Sequence, residues 1–165
     1  MSGMTAEELG RLLDRYAGPL ELYAAQWTPV AGDVVQEAFL RLFDQRPIPA
    51  NPIAWLYRTV RHRAINASRS DRRRERHEHE AGAYRLRLAA STSASPIDSR
   101  ELNESLQALP LDEREVIVAR IWGGLTFDEI AELTGSSTAT SYRRYQSGLD
   151  TLRTRLTAWT THPTT

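Results

Sequence analysis

The chain has 165 residues, a formal net charge of zero and no cysteine, so disulfides, thiol chemistry and the usual zinc-finger spacings are excluded. The length suits one ordinary domain or two small ones, and no apolar stretch approaches the roughly 20 residues of a membrane span. Residues 1–13 contain acids and no long apolar core, unlike a secretory signal. We therefore expect a cytoplasmic protein with no membrane span.

The first half of the chain has apolar residues at the spacing that predicts three helices. Thr5 and Glu8 form a capping-box pattern at the start of the first helix, and Pro19 predicts a kink or a break within it. Asp33 is expected to cap the second helix. A loop rich in proline follows and should be stiff. The third helix is expected to run from Pro52 to about Ser70.

A basic stretch of the sequence begins within the third predicted helix. Eight arginines and two acids lie between residues 58 and 76, and a local basic stripe favours contact with nucleic acid even in a neutral chain. The alternative is a solvated basic face, which we disfavour because so few acids balance the arginines. For Trp55, on the same helix, we favour a position in the core.

Residues 71–99 change from charged residues to Ser, Thr and Ala, which is typical of a flexible linker. His77 and His79 resemble a metal site, but residues two apart do not face each other on a helix, so a solvated linker is the favoured interpretation. The sequence shows no nucleophile–base motif, Gly-rich phosphate loop or paired-carboxylate signature. We therefore expect no enzyme activity, no metal and no cofactor.

Helical spacing resumes near residue 98, and residues 125–140 have the pattern of a helix-turn-helix. Thr126 and Glu129 form a second capping box, Gly135 permits a left-handed turn, and Ser137 or Thr138 can cap the helix that follows. An ordinary helical hairpin is the alternative. The polar start of that helix and its Arg-Arg pair favour a DNA-reading element instead.

Together these patterns predict an all-α protein of two small helical domains. The domains are expected over residues 1–70 and 100–158, with the flexible linker at 71–99 and a tail at 159–165.

The order of these sequence motifs along the chain resembles that of the sigma-70 family of RNA polymerase sigma factors. DVVQEAFLRLF at residues 33–43 and IAWLYRTV at residues 53–60 resemble region 2 of that family, and residues 109–156 resemble region 4. The small two-domain layout is similar to the extracytoplasmic-function (ECF) group. The resemblance implies a three-to-four-helix bundle for region 2 and a helix-turn-helix for region 4.

The resemblance also implies partners and roles. The partners would be core RNA polymerase, through its β′ clamp helices and β flap, promoter DNA, and an anti-sigma factor. Polymerase binding would use Gln36, Glu37, Leu40 and Arg41. A base flipped from the −10 element would be held by Gln45, Arg46 and Asn51. The melted −10 strand would meet Arg58, Arg61, His62 and Asn66. The −35 element would be read by Thr138, Thr140, Tyr142, Arg143, Arg144 and Gln146.

Some positions depart from the family pattern. His62 stands where many ECF factors have Asn, which implies a different −10 base preference. Ser136 and Ser141 stand where apolar residues are usual, and Tyr142 replaces a basic residue; neighbouring tyrosines could take over the packing.

Two other classes of protein remain as alternatives. One is an ordinary helix-turn-helix regulator that acts without core polymerase, with residues 5–70 as a dimerisation or ligand domain. The other is a DNA-processing enzyme such as a recombinase, which the sequence disfavours because it shows no acidic catalytic cluster.

Overall fold

The computed structural model describes residues 3–75 and 99–160, and this part of the chain forms seven α-helices and no strand. The helices belong to two compact units, Met1–Leu86 and Arg87–Thr165, and the predicted all-α fold is confirmed. The segment with His77 and His79, most of the predicted linker and residues 161–165 lie outside the described residues. None of the described helices is long and apolar enough to cross a membrane.

The first unit contains α1 (Ala6–Ala24), α2 (Ala31–Asp44) and α3 (Pro52–Glu75). The predicted capping box at Thr5 is confirmed, because the Thr5 N–H donates to the Glu8 carboxylate at 2.8 Å and the Glu8 N–H donates to Thr5 Oγ1 at 3.2 Å. The Thr5 hydrogen bonds lower the pKa of Glu8. Pro19 lies inside a continuous α1, so of the two expected outcomes, a kink or a break, the break was wrong.

Two predicted helix boundaries differ from the structure. The cap of α2 is Val30 without a side-chain hydrogen bond, and Asp33 lies in the first turn, where a carboxylate is favoured by the helix dipole. The prediction of Asp33 as the cap was therefore wrong. Helix α3 continues to Glu75, beyond the predicted end at Ser70.

Aromatic residues join α1 and α3 in the core of the first unit. Tyr23 from α1 meets Tyr57 from α3 edge to face, with ring centroids 5.0 Å apart, and both residues are fully buried. The apolar spacing of α3 predicts five core residues: Ile53, Leu56, Tyr57, Val60 and Ala64. The last four are inaccessible to solvent, which confirms them, whereas Ile53 is only partly buried. The Tyr57 hydroxyl has no hydrogen-bond partner among the residues that the structure describes, and burial raises its pKa.

The second unit contains α4 (Ser99–Gln107), α5 (Leu111–Ile121), α6 (Phe127–Thr134) and α7 (Thr138–Thr160). Part of its core is a cluster of four buried aliphatic residues, Leu106, Leu109, Ile117 and Leu152. Gly148 lets α7 approach α5 closely, because a Cβ at this position would lie 2.5 Å from Ile117 Cδ1. The core of the second unit therefore requires glycine at position 148, where a side chain would clash, as well as its apolar residues.

Candidate polymerase and nucleic-acid interfaces

One face of α2 is open to solvent. The Leu40 side chain is 57% exposed although it is large and apolar. The other three residues predicted to bind polymerase are also exposed: Gln36, Glu37 and Arg41. The opposite face of α2 supplies Val34, Val35, Ala38, Phe39 and Leu42 to the core. The helix thus presents one leucine among polar groups on its free side.

Glu37 connects this open face to α3. Its Oε1 lies 3.5 Å from Arg41 Nε on the same helix, and the same oxygen is in close contact with the Arg63 guanidinium. One carboxylate therefore pairs with a cation on each of two helices.

Two adjoining open cavities form a groove along α2 and α3 that is lined mainly by charged and polar residues. The first, of about 460 Å³, is lined by residues that include Gln45, Trp55, Arg58 and His62. The second, of about 590 Å³, is lined by residues that include Asp33, Glu37 and Asn66. Arg41, His62 and Arg63 belong to both. The structure thus brings residues predicted to bind polymerase and residues predicted to bind the −10 strand to one groove.

The core position predicted for Trp55 was wrong, because its side chain is partly exposed and lines the groove. The stripe that faces the groove follows the i, i+4, i+7, i+11 spacing of one helix face. Its members are Trp55, Thr59, His62 and Asn66. The buried residues of α3 follow the same helical spacing with a shifted starting position. They therefore lie on a different face of the helix from the groove stripe.

The remaining residues predicted for the −10 element have local partners. Asn51 Oδ1 accepts the Ala54 N–H at 3.0 Å and so caps α3. Arg46 donates to the carbonyl oxygens of Phe43 at 2.7 Å and Gln45 at 2.8 Å. Arg61 lies over the Trp27 ring, 5.8 Å from its centroid. These contacts fix the shape of the loop and of the adjoining helix surface.

The second unit contains the predicted helix-turn-helix. Thr126 and Glu129 form the capping box of α6, and Gly135 adopts the left-handed conformation with φ of 68°. Ser137 caps α7, since its Oγ accepts the Thr140 N–H at 3.0 Å. Thr138 instead donates its hydroxyl to Asp128 Oδ1 at 2.6 Å, which ties the start of α7 to α6.

The six residues predicted to read the −35 element do not share one environment. Thr138, Tyr142 and Arg143 are exposed, and Arg143 donates to Thr140 Oγ1 at 3.2 Å. The Tyr142 ring is held edge-on by Phe127, with centroids 5.4 Å apart. Gln146 is partly buried.

Arg144 points towards α5 rather than along the exposed surface. Its Nε lies 3.2 Å from Asp112 Oδ2. One turn further along α7, Ser147 donates to Glu113 Oε1 at 2.7 Å. This side of α7 is therefore engaged in packing within the unit.

The two units differ in charge. Residues 3–75 carry eleven arginines and nine carboxylates, whereas residues 100–157 carry seven arginines and nine carboxylates. The unit with the helix-turn-helix thus has a net negative charge over its described side chains.

Comparisons with known proteins agree with both units. Residues 7–74 match Sigma-70 region 2 and residues 99–152 match Sigma-70, region 4. The RNA polymerase sigma factor CarQ of Myxococcus xanthus is 35% identical over 132 residues, which cover 75% of this chain and 73% of CarQ. The ECF RNA polymerase sigma factor SigK of Mycobacterium ulcerans is 26% identical over 134 residues, covering 76% and 72%.

The chain spans only a third of another relative. The probable RNA polymerase sigma factor RfaY of Xanthomonas campestris pv. campestris is 32% identical over 134 residues, which cover 75% of this chain and 33% of RfaY. Among solved structures, the sigma factor RpoE in complex with the anti-sigma factor NepR, from Bartonella quintana, has a similar fold. The TM-score is 0.70 with 18% identity, covering 92% of this chain and 98% of RpoE.

The chain therefore belongs to the sigma-70 family of RNA polymerase sigma factors. Within that family it is a member of the ECF group.

Proposed function

We propose that this sigma factor binds core RNA polymerase through the open face of α2 and directs initiation at promoters by reading a −10 and a −35 element. The observation that carries the proposal is the division of parts. One unit combines an open α2 face with the groove, and the other holds a helix-turn-helix. A regulator that binds only duplex DNA requires a helix-turn-helix, but it requires neither an open α2 face for polymerase nor a groove for a single strand.

Polymerase binding is assigned to Gln36, Glu37, Leu40 and Arg41, facing the β′ clamp helices. Leu40 supplies apolar area that is already exposed in the free protein, and the charged neighbours give orientation and specificity. The second unit would contact the β flap.

The groove of the first unit would hold the unpaired −10 strand. Arginines neutralise phosphates, and an aromatic face such as that of Trp55 stacks on an unpaired base. His62 and Asn66 lie in the groove, with His62 Nε2 and Asn66 Nδ2 3.5 Å apart, and Arg58 lines its first cavity. Arg46 and Asn51 would act by shaping the loop that accepts a flipped base. The free energy for melting would come from capturing bases and phosphates, with no covalent chemistry.

The −35 element would be read from the major groove by the exposed start of α7, where a recognition helix places its base contacts. Thr138, Thr140, Tyr142 and Arg143 lie in its first two turns. Arg144 and Gln146 would act at the border of this surface, and Arg144 would also hold α7 against Asp112.

We further propose a regulator that covers the polymerase-binding face while the factor is idle, in the cytoplasm where polymerase works. The support is the fold shared with RpoE, which was solved in complex with the anti-sigma factor NepR.

Initiation with purified components tests the proposal. The wild-type chain should bind core polymerase and produce promoter-dependent transcripts. Leu40→Asp should lose both, because it places a charge in the apolar centre of the docking face, while Arg11→Ala on the exposed side of α1 should change neither. If the wild-type chain binds duplex promoter DNA alone and never associates with core polymerase, the ordinary helix-turn-helix regulator is the correct assignment.

A further inference from the structure

We infer that Arg63 is a further contact for the backbone of the unpaired promoter strand, and that Glu37 masks this contact in the free factor until polymerase engages the α2 face. The inference rests on the proposed function, because it presumes that the groove takes the strand and that α2 takes the polymerase.

Arg63 lies in the part of the groove where a strand would run. It is on α3 with His62 and Asn66, one residue and three residues away along the chain, and it lines both cavities. Its side chain is only 23% exposed, so the guanidinium is held by its surroundings rather than free in solvent. A fixed cation in a groove attracts a phosphate without first having to be ordered.

Glu37 cancels much of that attraction in the free protein. Its carboxylate contacts Arg63 and also lies 3.5 Å from Arg41, and both arginines line both cavities. A phosphate that approaches either guanidinium therefore meets a carboxylate of its own sign. The strand therefore competes with Glu37 for Arg63.

The position of Glu37 makes the mask removable. Its side chain is 48% exposed and stands one helical turn from Leu40, within the face assigned to polymerase. A hydrogen-bond donor on the polymerase that takes the Glu37 carboxylate would release Arg63 to the groove. By linkage, strand binding would tighten polymerase binding by the same factor. Partly exposed ion pairs of this kind change binding constants by about fivefold at most. Glu37 therefore weakens strand binding without preventing it.

Single-stranded DNA binding by the free, full-length factor tests the mask. The probe is a short fluorescent single strand of mixed sequence, followed by anisotropy over a series of salt concentrations. Glu37→Gln, which keeps the shape of the side chain, should bind about three- to fivefold more tightly. It should also show a salt slope steeper by up to about one phosphate contact.

Two further variants separate the mask from a general charge effect. Asp33→Asn removes a carboxylate that lines the same groove and should raise affinity much less. Arg63→Met keeps the apolar stem and should abolish the gain from Glu37→Gln when the two are combined. Thermal melts of each variant check that the fold is retained.

The outcomes are distinct. An equal gain from Asp33→Asn, or a gain from Glu37→Gln that survives Arg63→Met, overturns the mask. If the wild-type chain directs initiation but Glu37→Gln gains no strand affinity, this inference fails alone. If the wild-type chain neither binds core polymerase nor directs initiation, the proposed function fails as well.

Discussion

The hydroxyl oxygens of Ser136 and Ser141 lie 3.1 Å apart in the turn of the helix-turn-helix, and Ser141 is fully buried. Thr134 Oγ1 lies 2.8 Å from Ser136 Oγ and donates to the Ile130 carbonyl at 2.9 Å. Each hydroxyl has one hydrogen, so Ser141 donates to Ser136, which donates to Thr134. A chain of hydrogen bonds thus joins α7 to α6 at two positions, Ser136 and Ser141, where the resemblance implied apolar packing.

Ser136→Ala should destabilise the protein by about 1 kcal/mol, because it deprives the buried Ser141 hydroxyl of its acceptor. Ser136→Ala combined with Ser141→Ala should cost less than the sum of the two single changes, since no buried donor is left behind. Urea unfolding of the three variants measures the coupling. If the losses of unfolding free energy in the two single variants add up to the loss in the double variant to within about 0.3 kcal/mol, the two hydroxyls act independently.

Gly148→Ala should destabilise the second unit by about 1–3 kcal/mol, because the new Cβ overlaps Ile117 within a fully buried contact. Gly10→Ala is the matched control. Gly10 lies inside α1 and its added Cβ would meet nothing within 4 Å, so alanine should stabilise by up to about 1 kcal/mol through helix propensity. Thermal unfolding of both variants provides the comparison, and equal effects would disprove the close approach of α7 to α5.

Tyr57→Phe should leave stability unchanged or raise it by about 1 kcal/mol at pH 7, because the buried hydroxyl bonds to none of residues 3–75 and 99–160. Burial raises the pKa of Tyr57 in the folded protein. The unfolded chain therefore loses this proton first, and stability falls as the pH rises through the ordinary tyrosine range near 10. Melts between pH 7 and 11 should show a weaker alkaline loss in Tyr57→Phe. A strongly destabilised variant would mean that the hydroxyl is hydrogen-bonded.

Arg143→Ala and Arg144→Ala should separate DNA reading from packing. Arg143 is exposed on α7, so its loss should weaken −35-dependent initiation while polymerase binding and unfolding stay unchanged. Arg144 pairs with Asp112, so its loss should cost up to about 1 kcal/mol of stability, and Asp112→Asn should reproduce that cost. Initiation assays and thermal melts on the same preparations distinguish the two effects. A stability loss from Arg143→Ala would contradict the assignment.

Much of this architecture could be predicted from local sequence. Thr5 and Thr126 begin helices because their hydroxyls and the acids three residues later satisfy backbone donors within a single turn. Gly135 could be placed because the left-handed region strongly favours glycine. Such signals need no knowledge of the tertiary fold.

Features set by tertiary contacts were harder to predict. Asp33 has the right residue type for a cap, yet α2 begins at Ala31. Trp55 was assigned to the core, although its helical phase places it on the groove. No local pattern pairs Arg144 with Asp112, or Glu37 with Arg63, because each pair joins separate helices.

The excess of carboxylates over arginines in residues 100–157 bears on how the factor is distributed in a cell. Binding to random duplex is driven by phosphate neutralisation, and a net negative reading domain gains little from it. The reading domain then adds little to non-specific binding of the free factor to chromosomal DNA. The concentration available to polymerase then depends on synthesis of the factor and on its release from the proposed regulator, with little loss to random duplex through the reading domain.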